Sequence, residues 1–105
     1  MATWERKRTA ETRRIEDLFR DNHFPRTDAY RFNSASIRVR VIDPQFAGKS
    51  IPEREELLSS VLEQIPEETR SDILFLLTLA PEEVGSFNRH ALMNLEFEDP
   101  PRSRV

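Results

Sequence analysis

Hydrophobic and polar residues alternate with two periods along this chain, and the changes of period mark its elements. In "TAETRRIEDLFRDN", Thr9 to Asn22, the residues Ile15, Leu18, Phe19 and Asn22 recur at helical spacing with charges on the remaining faces, which predicts an amphipathic first helix. Asn22 tolerates the left-handed backbone that ends helices, and Pro25 biases Phe24 toward extended conformations, so the helix stops there. Trp4, upstream, either caps the core or lies exposed. The period then falls to two: "TDAYRFN" and "SIRVRVID" are rich in aromatic and β-branched residues and are joined by the polar "NSAS", a plausible hairpin. In its second strand Ile37, Val39 and Val41 share one face and Arg38 and Arg40 the other, so one side packs and the other is at least partly wet.

"SIPEREELLSSVLEQI" returns to the helical period. Ser50 and Glu53 have the spacing of a capping box, Pro52 is tolerated in the first turn, and Leu57, Leu58, Val61, Leu62 and Ile65 form one stripe that Pro66 ends. "EETRS" has room for a turn or two before "DILFLLTLA", which is apolar on both alternating faces and is expected as a central strand. Pro81, Glu82 and Glu83 begin a short final helix broken at Gly85. Residues 87–99 are expected as an extended segment that packs on or pairs with the domain, since Ala91, Met93, Leu95 and Phe97 alternate although Leu92 interrupts them. Residues 100–105, "PPRSRV", are expected as a disordered tail and residues 1–8 as an N-terminal extension. Residues 9–86 then form a single α+β domain, a small three-stranded mixed sheet packed by helices in the order α-β-β-α-α-β-α.

Composition narrows the function classes. A length of 105 residues suits one domain with one core. With 37% hydrophobic and 33% charged residues and no long apolar run, neither membrane insertion nor a secretory signal is expected, and a cytoplasmic location is the default. Cysteine is absent, which removes disulfides and thiolate chemistry. The net charge of -3 is uneven: residues 50–83 carry nine acids against Arg54 and Arg70, whereas residues 27–49 carry four basic side chains against two acids. An acidic overall balance argues against a dedicated nucleic-acid binder.

"DPQFAGKS", Asp43 to Ser50, ends like a phosphate-binding loop. That loop needs a glycine where Asp43 stands, and Pro44 lacks one of the N–H donors a phosphate cradle requires. The better reading gives each residue an ordinary structural role. Pro44 leaves the strand, Phe46 turns onto the core, Gly48 makes the turn, Ser50 caps the helix, and Lys49 is an exposed lysine.

The strand "IRVRVID" running into "PQFAGKSIPEREELLSSVL" and closing with "DILFLLTLAPEEV" resembles the BolA family over about Ile15 to Val84. The resemblance rests on F-x-G-K-S after a strand, on Arg54 within the next helix, and on a strand ending in a small residue, Pro, Glu and Glu. It implies an α+β fold like that of class II KH domains, regulatory or iron-sulfur trafficking roles, and a monothiol glutaredoxin as partner. The chain departs from the family where its histidines stand: Glu55 occupies the first such position and Asp72 the second, and His23 and His90 lie outside the matched motifs. Carboxylates are poor substitutes for imidazole on a sulfide-bridged cluster, so the fold carries over and the cluster does not.

No catalytic, cofactor or metal residue is assigned. Glu53, Glu55 and Glu56 crowd a helix start, where acids complement the helix dipole, and no histidine accompanies a nucleophile. The expected role is a non-catalytic regulatory or interaction protein, with a protein partner, a homodimer as one arrangement, and no membrane. The alternative is a weak nucleic-acid-binding regulator. The candidate surface residues are Arg38, Arg40, Lys49 and Arg54, although the glycines at 48 and 85 make no KH-type GXXG clamp.

Overall fold

Reciprocal hydrogen bonds set the start of the first helix. In the computed structural model, which describes residues 3–84, the Thr9 hydroxyl accepts the Thr12 N–H and the Thr12 hydroxyl accepts the Thr9 N–H, opening α1 (Ala10–Asp21). At the other end it is His23, not Asn22, that takes the left-handed backbone, with φ of 75°. Its N–H donates to the Arg20 carbonyl and the Phe24 N–H to the Phe19 carbonyl, the two bonds of a Schellman turn. Asn22 keeps a negative φ and its amide donates to the Leu18 carbonyl instead. The turn aims Phe24 into the core, where it stacks on Phe46 with ring centroids 6.2 Å apart.

The hairpin forms as its pattern predicts. Strands β1 (Thr27–Asn33) and β2 (Ser36–Ile42) pair antiparallel, and β3 (Ile73–Leu79) joins β2 in parallel, giving a mixed sheet in the order β1-β2-β3. The expectation that "DILFLLTLA" is central is corrected for the described residues: among them β2 is central and β3 has no second strand neighbour. Hydrophobic pattern reports how many faces of a strand are covered and says nothing of its flanks. The later residues of β3, Leu77 to Leu79, are buried on both faces of the sheet although β2 is their only strand neighbour among the described residues.

Two clusters cover those faces. Ile15, Phe19 and Phe24 meet Ile37, Val39 and Val41 of β2 and Phe46, Leu58, Val61 and Ile65 from the second half of the chain, forming the main core. On the opposite face Trp4, carried by a 3₁₀ turn (Thr3–Lys7), is only 6% exposed and packs with Tyr30, Ile42, Leu77 and Leu79. Trp4 thus caps the core, and the turn that carries it belongs to the packed structure. The segment expected at residues 87–99 and the tail at 100–105 lie outside the described residues.

The second helix, α2 (Ile51–Leu62), is opened by the Ser50–Glu53 capping box: the Glu53 N–H donates to the Ser50 hydroxyl and the Glu53 carboxylate accepts the Ser50 N–H. It ends at Leu62, four residues before Pro66, and a short α3 (Glu67–Arg70) precedes β3. Hydrogen bonding from the Ser50 N–H, then from its hydroxyl, with the Lys49 charge adding, holds the Glu53 carboxyl below its ordinary range. A depressed carboxyl pKa stabilises the fold above the unfolded-state value, and the gain disappears as pH falls through the folded-state value. Acid titration of the wild type is therefore expected to fray the first turn of α2, seen as lower amide protection factors there once the intrinsic pH dependence of exchange is divided out. Glu53→Gln should make that protection insensitive to pH in this window; an unchanged acid response would refute the box as its source.

The sheet's two edges are treated differently. On the β1 side the Ala29 N–H donates to the Glu16 carboxylate of α1 at 2.9 Å, and the same carboxylate accepts Arg8 Nε at 2.9 Å, so a helix side chain occupies that edge. No helix among the described residues is long and apolar enough to cross a membrane.

Candidate interaction surface

The loop that looks like a phosphate cradle is built as a turn and a cap. The Asp43 carboxylate accepts the Gln45 N–H and starts a 3₁₀ turn (Pro44–Phe46), Phe46 is fully buried, and Gly48 alone supplies the left-handed step, with φ of 75°. Ser50 then caps α2. An acid at the mouth and a proline in place of a donor leave nothing for a phosphate. Lys49 is exposed, as expected.

Arg54 is not on the surface. Its side chain is 3% exposed, and its guanidinium closes the end of the domain: Nε donates to the Lys49 carbonyl, Nη1 to the Thr78 carbonyl at 2.9 Å, and Nη1 and Nη2 to the two Glu83 carboxylate oxygens at 2.8 Å each. Glu83 lies in the 3₁₀ turn (Pro81–Glu83) after β3 and also accepts the Ala80 N–H. The fork geometry of arginine suits this position, joining α2, β3 and the closing turn in one network. The expectation that Arg54 contributes to a partner surface is corrected accordingly. Beside it, the buried hydroxyl of Thr78 has no hydrogen-bond partner among the described residues. Thr78→Val, of nearly the same shape, is expected to stabilise the fold by about 1 kcal/mol, read from urea midpoints; destabilisation would show that the hydroxyl is satisfied.

Asp72, which stands at one of the two histidine positions of the resemblance, is committed elsewhere. It accepts Arg31 Nη2 at 2.7 Å, and Arg31 also pairs with Glu11 of α1 at 3.1 Å. The Asp72 hydrogen bond and the Glu11 charge raise the Arg31 pKa against the opposing effect of burial. Glu55 is exposed. Among the described residues no group of three or more His, Cys, Asp and Glu side chains is arranged to hold a metal ion. A shallow cleft of about 330 Å³ lies between α1 and the turn after α2, floored by Ile15, Leu18, Ile65 and Pro66. Two of its rim acids have partners: Glu11 is held by Thr69 and Arg31, and Asp17 by Arg20.

The surviving candidates, Arg38 and Arg40, share the sheet face opposite α1 and α2, but their surroundings differ. Arg40 is paired with Asp28 across the hairpin, through Nε at 3.2 Å and through Nη2. Arg38 lies against aromatic rings: its guanidinium carbon is 3.7 Å from the Phe32 centroid and 5.5 Å from that of Phe75, while Lys7 approaches the Phe32 ring at 5.3 Å. Lys49, in the loop entering α2, is not on this strand face.

Two β-bulges shape the surroundings of Arg38. In β1 the register runs from Arg31↔Ile37 to Asn33↔Ser36 and skips Phe32; in β3 it runs from Ile73↔Ile37 to Phe75↔Arg38 and skips Leu74. Both skipped residues are exposed hydrophobics, Phe32 at 40% and Leu74 at 70%, and they flank the start of the central strand on either side. Bulges locally disrupt pairing and re-aim side chains, and here they bring large apolar groups to the surface at one end of the sheet.

Phe32, Leu74 and Phe75 escape the sequence reading. Folding the hairpin about "NSAS" would have placed Phe32 diagonal to Arg38, a usable signal. The Phe75 contact depends on a parallel register displaced by one residue at Leu74, for which the sequence carries no local mark. No family model, curated protein or solved structure matches this chain.

Proposed function

We propose that this chain is a non-catalytic interaction domain that binds another protein through the end of its sheet formed by Phe32, Leu74, Phe75 and Arg38. The observation that carries the reading is the pair of bulges: each flanking strand skips one residue beside the start of β2, and each skipped residue is an exposed large hydrophobic. An apolar patch with an arginine stacked at its centre has the composition of interface cores, which are enriched in aromatic residues and arginine. The β3 flank adds a means of recognition, because the β1 flank is occupied by Glu16 whereas β3 has β2 as its only strand partner among the described residues.

The order of elements supports kinship with BolA-like or class II KH-like domains, so a glutaredoxin is a reasonable first protein to try. The commitment of Asp72 to Arg31 supports leaving the iron-sulfur cluster out of that kinship. The nucleic-acid reading loses support where Arg40 is neutralised by Asp28 and Arg54 is buried, which leaves Arg38 and Lys49 on separate elements.

The test compares immobilised wild type with Leu74→Asp, Arg38→Glu and Lys49→Glu, each first shown to be folded, for capture of glutaredoxin and of proteins from the source lysate. A specific partner retained by wild type and Lys49→Glu and lost by the other two is the expected result. Retention that ignores Leu74 and Arg38 would refute the surface. Heparin binding that collapses between low and moderate salt and vanishes in Arg38→Glu would favour nucleic acid instead.

A further inference from the structure

We propose that residues 93–99 of this same chain, "MNLEFED", dock on the Phe32–Arg38–Phe75 surface and compete there with the partner. This rests on the reading of that surface as the interaction site and adds a control built into the chain.

The chain beyond Val84 is long enough to return to this surface. The described chain ends at Val84, directly after the turn that follows β3, and that turn is fastened to Arg54 through Glu83. The exposed patch lies at the opposite end of β3, beside Leu74 and Phe75. A seven-residue strand spans about 23 Å. The nine residues from Val84 to Met93 can reach about 30 Å when extended, so the span is covered with some residues left for the reversal of direction. A much shorter continuation could not return to Phe75, whereas this one is long enough for Met93, Leu95 and Phe97 to reach it.

Its charge also complements that surface. Arg38 lies between the Phe32 and Phe75 rings and Lys7 approaches Phe32 from a second element, so the apolar patch carries cationic charge within it and beside it. Residues 93–99 carry Glu96, Glu98 and Asp99 on either side of Phe97, and no basic residue. An aromatic ring flanked by carboxylates complements aromatic rings interleaved with cations: the ring supplies apolar burial, and the carboxylates meet Arg38 and Lys7, contacts that fix orientation more than affinity. The preceding residues 86–92 hold Arg89 and His90 and lack this complementarity, which confines the docking element to the acidic end.

The absence of cysteine allows a spin label at a single introduced thiol. A nitroxide on Asn94→Cys in the full chain is expected to remove most of the amide signal of Phe32, Arg38 and Phe75, and to spare Glu55 and Glu56 on α2. The loss should be unchanged on dilution and absent when spin-labelled chain is mixed with unlabelled, isotope-enriched chain. Adding Glu96→Lys, Glu98→Lys and Asp99→Lys should restore the signal and increase capture of the partner severalfold. Signal loss only in the mixed sample would make a second copy the occupant and overturn the proposal, as would no loss at all. Because the label needs no partner, docking can fail while the partner still depends on Leu74 and Arg38, and the two failures read out separately.

Discussion

Arg54→Ala is expected to destabilise the fold by about 3 kcal/mol, toward the lower end of the range for breaking a buried ion pair because the Glu83 side chain keeps some solvent access. The cost has three parts: the Thr78 carbonyl loses its donor, the Glu83 carboxylate is left facing an apolar gap, and α2 is released from the end of β3. Arg54→Lys should recover only a minor share, because one ammonium cannot span both Glu83 oxygens and also reach two carbonyls. A double-mutant cycle with Glu83→Gln, followed by urea denaturation, separates the pair from the rest of the network. Strong coupling is expected. A loss under about 1 kcal/mol in Arg54→Ala, or additive single effects, would show that the clamp is incidental.

Phe46→Ala should cost about 3 to 5 kcal/mol, the range for truncating a buried aromatic, with a fall in Tm on the order of 15 °C. Phe46 is fully buried, stacks on Phe24 and lies 5.9 Å from the Arg54 guanidinium, so its ring links the first helix's closing turn to the clamp. Phe46→Leu, which refills most of the volume, is expected to restore more than half of the loss. A small effect of Phe46→Ala would mean that the loop from Asp43 to Ser50 is free of the core, and would reopen the question of what its Gly-Lys-Ser does.

Most of the fold is legible in the sequence because its signals are local. Ser50 and Glu53 announce the start of α2 through capping chemistry, the two alternating runs around "NSAS" announce the hairpin, and the stripe from Leu57 to Ile65 announces the face of α2 that packs. What depends on distant partners is not legible. The outer position of β3 among the described strands follows from how strands are ordered in space, and hydrophobic period records only that its faces are covered. Arg54 is indistinguishable in sequence from a solvated helix arginine until Glu83 and the Thr78 carbonyl are placed around it. His23 takes a left-handed turn for which nothing in its own chemistry asks; the demand comes from Phe24, which must enter the core.

The candidate surface is half legible for the same reason. Arg38 and Arg40 are correctly placed on one strand face, yet cross-strand pairing separates them, giving Arg40 to Asp28 and Arg38 to the rings of Phe32 and Phe75. Their equivalence in the sequence ends once register is known.

Binding at the bulged end of the sheet is tested by hydrogen exchange on the full chain carrying Glu96→Lys, Glu98→Lys and Asp99→Lys, which leaves that surface open, measured free and saturated with the captured partner. New protection is expected in Arg31–Asn33 and Ile73–Leu76, with α2 from Glu55 to Leu62 unchanged. Protection centred on α2 with those strand segments unaffected would place the interface elsewhere.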